Sequence, residues 1–368
     1  MSSSGKTHPR TVRCTISITR ALLSVCLYLS TDAAEEPGPL HSSKLVDYGP
    51  LAFRPHVWEN RHVSTLLSPW IGTNVVFLTT NGAYNIGLMS CWVNRLDQGW
   101  ALYTELMPEP PRKLKHFDGR ATIVAVPDFD FTCGAGCGYV GNTGIELAMF
   151  YARDFPAFER NTNSMPHYVF YEMGRNFFTL GDRHSAFTTG FAVFMRYVCM
   201  DTLSLEDEDS GTRRTIEDVE RLIRKGNMPF LRTFTNMDGL SEKEPRVKDS
   251  AGQWVTPSDQ PVTYASAMLR LWKENGGNEW LRRCFHSLAQ CPPAPGSDRE
   301  GALAQSWNWL VAASVAAKKD LSPVFVGDWR LPLSEQTRRE LAGVNWLSKD
   351  LTASAVLEQV SPRWLSSK

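Results

Sequence analysis

The apolar positions of this chain fall into two periods. Asn74-Val-Val-Phe-Leu-Thr79 is a compact β-branched and aromatic run, and so is the stretch from Arg120 to Val126. Each predicts a buried strand. Between them the spacing becomes helical: Ile86, Met89, Val93 and Leu96 predict a helix over 84–96, and 100–106 reads as a second one. Met165-Pro-His-Tyr-Val-Phe-Tyr-Glu-Met-Gly-Arg-Asn-Phe-Phe178 reads as one buried helix opened by Pro166, a residue suited to a helix start because its missing N–H costs nothing there. An apolar helix is expected over 188–200. An exposed acidic loop follows over 205–215, then a helix to Lys225 with Thr215 as its cap and Asp218 three residues on. Residues 236–260 are polar with Gly and Pro and read as a mobile flap, being long for an ordered loop. Helical patterns return over 264–274, 279–288 and 301–317, and a last helix opens with Ser334 at its cap and Thr337 three residues on. No internal repeat is visible.

Composition adds little to this except by exclusion. The 368 residues carry 39 Lys and Arg against 39 Asp and Glu, so nothing supports a nucleic-acid partner, which normally shows as a basic excess. Twelve Trp imply a large core or an aromatic-lined groove, since Trp is costly to leave exposed.

The first 34 residues read as a signal peptide: a basic lead of Lys6, Arg10, Arg13 and Arg20, an apolar run from Ala21 to Leu29, and a small-x-small site at Thr31-Asp32-Ala33. The run is shorter than the roughly 20 residues a bilayer span takes, so the expectation is a secreted chain without stable membrane insertion. Residues 35–69 then form a linker and N-terminal extension. Six of the eight Cys lie beyond residue 34, an even number that permits disulfides in an exported protein. Cys133 with Cys137, and Cys284 with Cys291, are the local pairs expected to close.

Cys133 to Ile145 holds five Gly in thirteen residues. A phosphate loop is disfavoured, because no Gly-Lys-Ser/Thr ends it and the context of a dinucleotide fold is missing. A segment at the rim or edge of a substrate groove fits better, since Gly lets a backbone approach closely. Gly138, Tyr139 and Gly141 on this segment, with Asn176 of the central helix, are the expected substrate-binding positions.

The central helix carries the most specific pattern. Tyr171-Glu172-Met173-Gly174-Arg175 aligns with His-Glu-x-x-His, in which two His one turn apart hold Zn²⁺ and the Glu is the general base. Val169 to Phe177 resembles the corresponding helix of the enhancin/mucin-degrading metallopeptidases, secreted gluzincins of the zincin fold, at every position except the two ligands. The order of Leu269 to Trp280, Ser306 to Ala317 and Phe325-Val-Gly-Asp-Trp-Arg-Leu-Pro-Leu-Ser334 is also similar to that family's helical subdomain. The resemblance implies an α+β, zincin-like domain over 70–345. It would have an N-terminal sheet-and-helix subdomain (70–178), a helical C-terminal subdomain (179–345) with the active-site helix between them, and a tail over 346–368.

The ligand chemistry departs from the family. Tyr171 and Arg175 replace both His, and Thr188 to Arg196 offers no third carboxylate. A guanidinium has no free acceptor for a metal. Glu172, Tyr171 and Arg175 are the catalytic-position candidates. A buried Glu172–Arg175 ion pair acting as a brace is weighed against Glu172 as general base or sugar-hydroxyl acceptor. Tyr171 is a packing and hydrogen-bonding residue, with a metal ligand or a phenol acid as the alternatives. His167 and His184 are weak metal candidates, and Asp128 with Asp130 are paired acids or solvated loop carboxylates.

The expected function is a metallopeptidase-like protein without standard zinc catalysis, needing no cofactor and binding a peptide or glycoprotein. The alternatives are a hydrolase using Glu172 with zinc on unorthodox ligands, and a structural secreted protein.

Overall fold

The structure, a computed structural model, describes residues 40–41, 44–47, 66–127, 129, 132–180, 185–207, 210–226, 228–235, 247–248, 254–255, 260–294 and 298–365. The expected signal peptide, most of the flap, Asp128, Asp130 and His184 lie outside them. The described residues belong to a unit running from Gly38 to Lys368.

A mixed sheet forms the first half. Strands β1 (Leu40–His41) and β2 (Val46–Asp47) both pair with β3 (Leu66–Ile71), which runs antiparallel to β4 (Val75–Thr79). Helix α1 (Ile86–Leu106) and the short strand β5 (His116–Phe117) lead to β6 (Arg120–Ala125), parallel to β4. Strand β7 (Gly136–Gly138) turns back, and β8 (Ile145–Leu147) returns parallel to β6. The resulting order is β1-β3-β4-β6-β8-β7, with β7 antiparallel to β8 at the far end. Both predicted strands are central and covered on two faces, which explains their unbroken apolar runs. Successive residues still alternate. Val75, Phe77, Ile123 and Ala125 join the main core, while Val76, Leu78, Val124 and Val126 form a smaller cluster on the opposite face.

The two helices expected over 84–106 are one. Asp97 and Gly99 lie between the two expected segments, within the helix, and both have tertiary uses. The Asp97 carboxylate accepts the backbone N–H groups of Thr73 (2.6 Å), Asn74 (2.7 Å) and Val75 (3.0 Å) and so closes the β3–β4 turn. Gly99 lies where a Cβ would come within 2.6 Å of the Phe170 ring, so its bareness lets two helices touch.

After β8 a wide turn over Phe150–Asp154 runs into α2 (Phe155–Arg160), and α3 (His167–Phe177) follows. This is the predicted central helix. It packs against β7, β8 and α1 on one side and against α4 (Ser185–Thr202) on the other. The second half is helical: α5 (Ser210–Gly226), α6 (Phe230–Phe234), α7 (Gln260–Asn275), α8 (Gly277–Ala289), α9 (Arg299–Ala317), α10 (Glu335–Ala342) and α11 (Ala353–Gln359). Between α6 and α7 a small hairpin pairs β9 (Val247–Lys248) with β10 (Trp254–Val255) inside the expected flap.

Helix α5 starts five residues earlier than expected. Thr215 is not its cap but bonds Gly211 O from within the helix. Ser334 does cap α10, accepting from Thr337 N at 3.2 Å. The expected tail over 346–368 carries α11, which packs on α9.

Much of the Trp content is used here. The Trp309 ring lies 4.8–5.8 Å from the rings of Phe325, Tyr264, Trp329 and Phe234. Glu220, 4% exposed, anchors this half: it accepts from Arg270 Nη1 at 2.5 Å and from Trp329 Nε1 at 2.9 Å. Mixed sheet and helices together make the α+β class expected from the sequence.

Candidate functional site

Helix α3 begins at His167, because Pro166 cannot donate to a preceding turn and sits extended at φ −67°, ψ 119°. At its other end Phe178 N and Gly141 N both donate to Arg175 O, at 3.3 and 3.0 Å. The loop joining β7 to β8 therefore satisfies a helix-terminal carbonyl. His167, Tyr171 and Arg175 recur every four residues and form one half-buried stripe, while the residues between them are buried. The two positions that hold ligands in the resembled family are thus side by side on the accessible face. Arg175 Nη1 donates to Tyr171 Oη at 3.4 Å.

Glu172 sits just inside this stripe, 5% exposed. The expected ion pair with Arg175 is not formed: among the described residues no carboxylate lies within 4 Å of that guanidinium. Instead Glu172 Oε2 accepts the backbone N–H of Gly138 at 2.7 Å. Within β7 the backbone of alternate residues faces β8, as Tyr139 N donates to Gly144 O and Ala148 N to Ala135 O. Gly136 and Gly138 therefore turn theirs away from β8, where Gly138 N meets Glu172. A Cβ on Gly138 would fall 2.4 Å from Glu172 O, and one on Gly136 would fall 2.9 Å from Glu172 Cγ. Two Gly of the predicted rim segment are what let the edge strand lie on α3. Burial pushes the Glu172 carboxyl up to about 7, against the opposing pull of Arg175 and the Gly138 hydrogen bond. A carboxyl poised there can accept or donate a proton near neutral pH.

The remaining predicted positions act as fasteners. Asn176 is fully buried, and its Nδ2 donates to Gly144 O (3.0 Å) and Tyr139 O (3.2 Å). Its donors are therefore turned to the hairpin, not to a groove. Tyr139 Oη bonds Glu146 Oε1 at 3.3 Å, and burial holds its phenol well above the usual range. Gly141 adopts φ +69° where the hairpin turns onto Arg175 O. The Cys133–Cys137 pair is closed, with Cα atoms 5.6 Å apart, and ties the chain before β7 to the middle residue of that strand. Cys284 and Cys291 are free thiols, so that expected pair is not formed. Cys284, on α8, is buried in the core, and burial pushes both thiols up.

Three neighbours escaped the sequence reading. Tyr168, one turn before Glu172, donates its hydroxyl to buried Asp154, which also accepts from Arg153 Nε at 2.8 Å. Burial, then the Asp154 charge, hold the Tyr168 phenol far above its usual range. The i, i+4 spacing to Glu172 pointed to Tyr168, whereas nothing in the Arg153-Asp154 dipeptide pointed to this site.

Among the described residues no group of three or more His, Cys, Asp or Glu is gathered as a metal site. The residues at the family's ligand positions do not fit zinc, because a guanidinium and the phenol it donates to take the place of two neutral imidazoles. The accessible face is instead rich in hydrogen-bond donors, suited to carbonyl, carboxylate or hydroxyl oxygens. Two surface cavities lie elsewhere. One of about 500 Å³ borders Asp298, Arg299, Leu303 and Trp364. Another of about 260 Å³ lies between α5 and α7, where Lys273 and Arg270 already pair with Glu217 and Glu220. Neither is lined by α3.

No family model matches the chain, and no curated protein matches it. Among solved structures it is similar to a functionally unknown conserved protein from Bacillus anthracis str. Ames, with a TM-score of 0.49 and 11% sequence identity over 77% of this chain. The match takes in 54% of that protein, so the chain spans about half of its length.

Proposed function

We propose that the chain is a zincin-like protein of the enhancin/mucin-degrading type that works without standard zinc catalysis and binds a peptide or glycoprotein segment along α3 and the β7 edge. One observation carries this reading. The general-base position, Glu172, gives its carboxylate to the edge-strand amide of Gly138, while Tyr171 and Arg175 bond each other where two imidazoles are needed. The placement of α3 between the sheet and the helices supports the fold part of the reading. The half-buried stripe of His167, Tyr171 and Arg175 supports the binding part, since it is the face of α3 that solvent reaches beside β7.

The test is elemental analysis of the purified protein, with casein and mucin digestion assayed with and without chelator. The expected result is no stoichiometric zinc and no chelator-sensitive cleavage. Stoichiometric zinc, with cleavage lost in both chelator and Glu172→Ala, would sink the reading. It would favour the second one, a hydrolase acting through Glu172, for which the near-neutral carboxyl is the supporting feature.

A further inference from the structure

Beyond the C-terminal end of α3 three backbone segments are stitched into one rim. Arg112 N donates to Gly141 O and Thr143 N to Arg112 O, both at 2.9 Å. Leu114 N bonds Thr143 Oγ1 at 2.9 Å, and Gly141 N reaches Arg175 O at 3.0 Å. Gly141 thus joins the segment around Arg112 to the helix end that carries Arg175.

This rim has an unusual surface. Arg112 and Lys113 are exposed and Arg175 is half-buried. None of the three has a carboxylate within 4 Å among the described residues. In the helical half, by contrast, Arg213, Arg270, Arg283 and Arg363 each hold one at 2.8 Å or closer. The Arg175 charge is felt by Glu172, but that carboxylate is turned to Gly138. On the same stitched segments two aliphatic side chains stand in water, Leu114 next to Lys113 at 52% and Val140 next to Gly141 at 39% exposure. Glu109 and Asp118 flank the segment without pairing to these cations.

Cations without a carboxylate partner, on the same segments as exposed aliphatics, complement a ligand that is both anionic and apolar. The aliphatics select among anions. Sugar rings are held on aromatic faces, whereas Leu and Val suit the side chains of a peptide. We propose that this rim receives an acidic peptide segment, its carboxylates on Arg112, Lys113 and Arg175 and its apolar side chains over Leu114 and Val140. The proposal rests on the peptide-binding reading of α3 and β7 and gives that site a ligand chemistry.

The experiment uses the full chain and a short labelled peptide alternating Glu and Leu, with a Gln-for-Glu counterpart, followed by fluorescence anisotropy. The Glu peptide should bind about tenfold or more tightly than the Gln peptide, and the preference should fade as salt rises. Arg112→Glu with Lys113→Glu should abolish it. Both side chains are exposed, so a matching circular dichroism spectrum verifies the fold of the variant. Equal binding of the two peptides, unchanged by the charge reversal, removes this proposal and leaves peptide binding at α3 and β7 standing. A sulfated polysaccharide that binds more tightly than the Glu peptide, and is lost in the same variant, makes the ligand an anionic glycan and overturns the peptide. Binding of neither peptide overturns it as well, whatever the zinc analysis finds.

Discussion

Glu172 is the residue at which chemistry and stability meet. In an unfolded chain its carboxyl titrates near 4.5, and in the fold near 7. The folded state therefore holds the proton more tightly. Its contribution is complete below about pH 4.5, falls through the window to 7, and is lost above it. A shift of this size corresponds to roughly 3 kcal/mol. Glu172→Gln keeps an oxygen for Gly138 N and carries no charge. Urea unfolding should therefore find it increasingly more stable than wild type as pH rises from 5 to 8, and an offset independent of pH would show that Glu172 does not titrate in this window. Arg175→Met is the companion measurement. With no ion pair to break, it should cost less than about 1 kcal/mol at pH 5, where a broken buried pair would cost roughly 3–5 kcal/mol.

At the scale of elements, the contact of β7 with α3 depends on missing side chains. A Cβ at Gly138 would meet the backbone oxygen of Glu172 at 2.4 Å, and a helix carbonyl cannot rotate away. Gly138→Ala must therefore push the edge strand off the helix and break the Gly138 N–Glu172 bond. We expect a loss of about 1–3 kcal/mol in urea unfolding, the range for overpacking. Gly134→Ala in the same loop is the control, since nothing lies closer than 3.9 Å to its Cβ position. Equal losses for the two would show that Gly138 serves only loop conformation. Here the sequence was partly legible. Five Gly in thirteen residues marked an edge or rim segment, but not which of them face the helix, because that depends on the register Gly138↔Ile145.

Across the whole molecule, Glu220 ties α5 to α7 and to the turn that carries Trp329. Glu220→Ala leaves a buried indole N–H without its acceptor and strips one carboxylate from Arg270, which keeps Asp328 and Glu274. We expect a loss of roughly 2–4 kcal/mol. The unit from Gly38 to Lys368 is compact, so tryptophan fluorescence and far-ultraviolet circular dichroism should report the same lowered midpoint. Two separated midpoints would mean that the helical half unfolds by itself.

Local pattern was enough for the central strands, for α3 and for the Ser334 cap, because burial on both faces, a Pro start and a cap hydroxyl each act within a few residues. It was enough, too, to set Tyr171 and Arg175 on one face, since the helical repeat alone brings i and i+4 together. It divided α1 into segments over 84–96 and 100–106, and it offered a Glu172–Arg175 pair that is not formed. Both errors have one physical cause. A carboxylate shielded in whole or in part from water takes the donors nearest in space, and these were the amides of the β3–β4 turn for Asp97 and of β7 for Glu172, 23 and 34 residues distant in sequence. Chain folding alone brings those amides into reach, so which partner each acid takes was settled by packing and not by spacing.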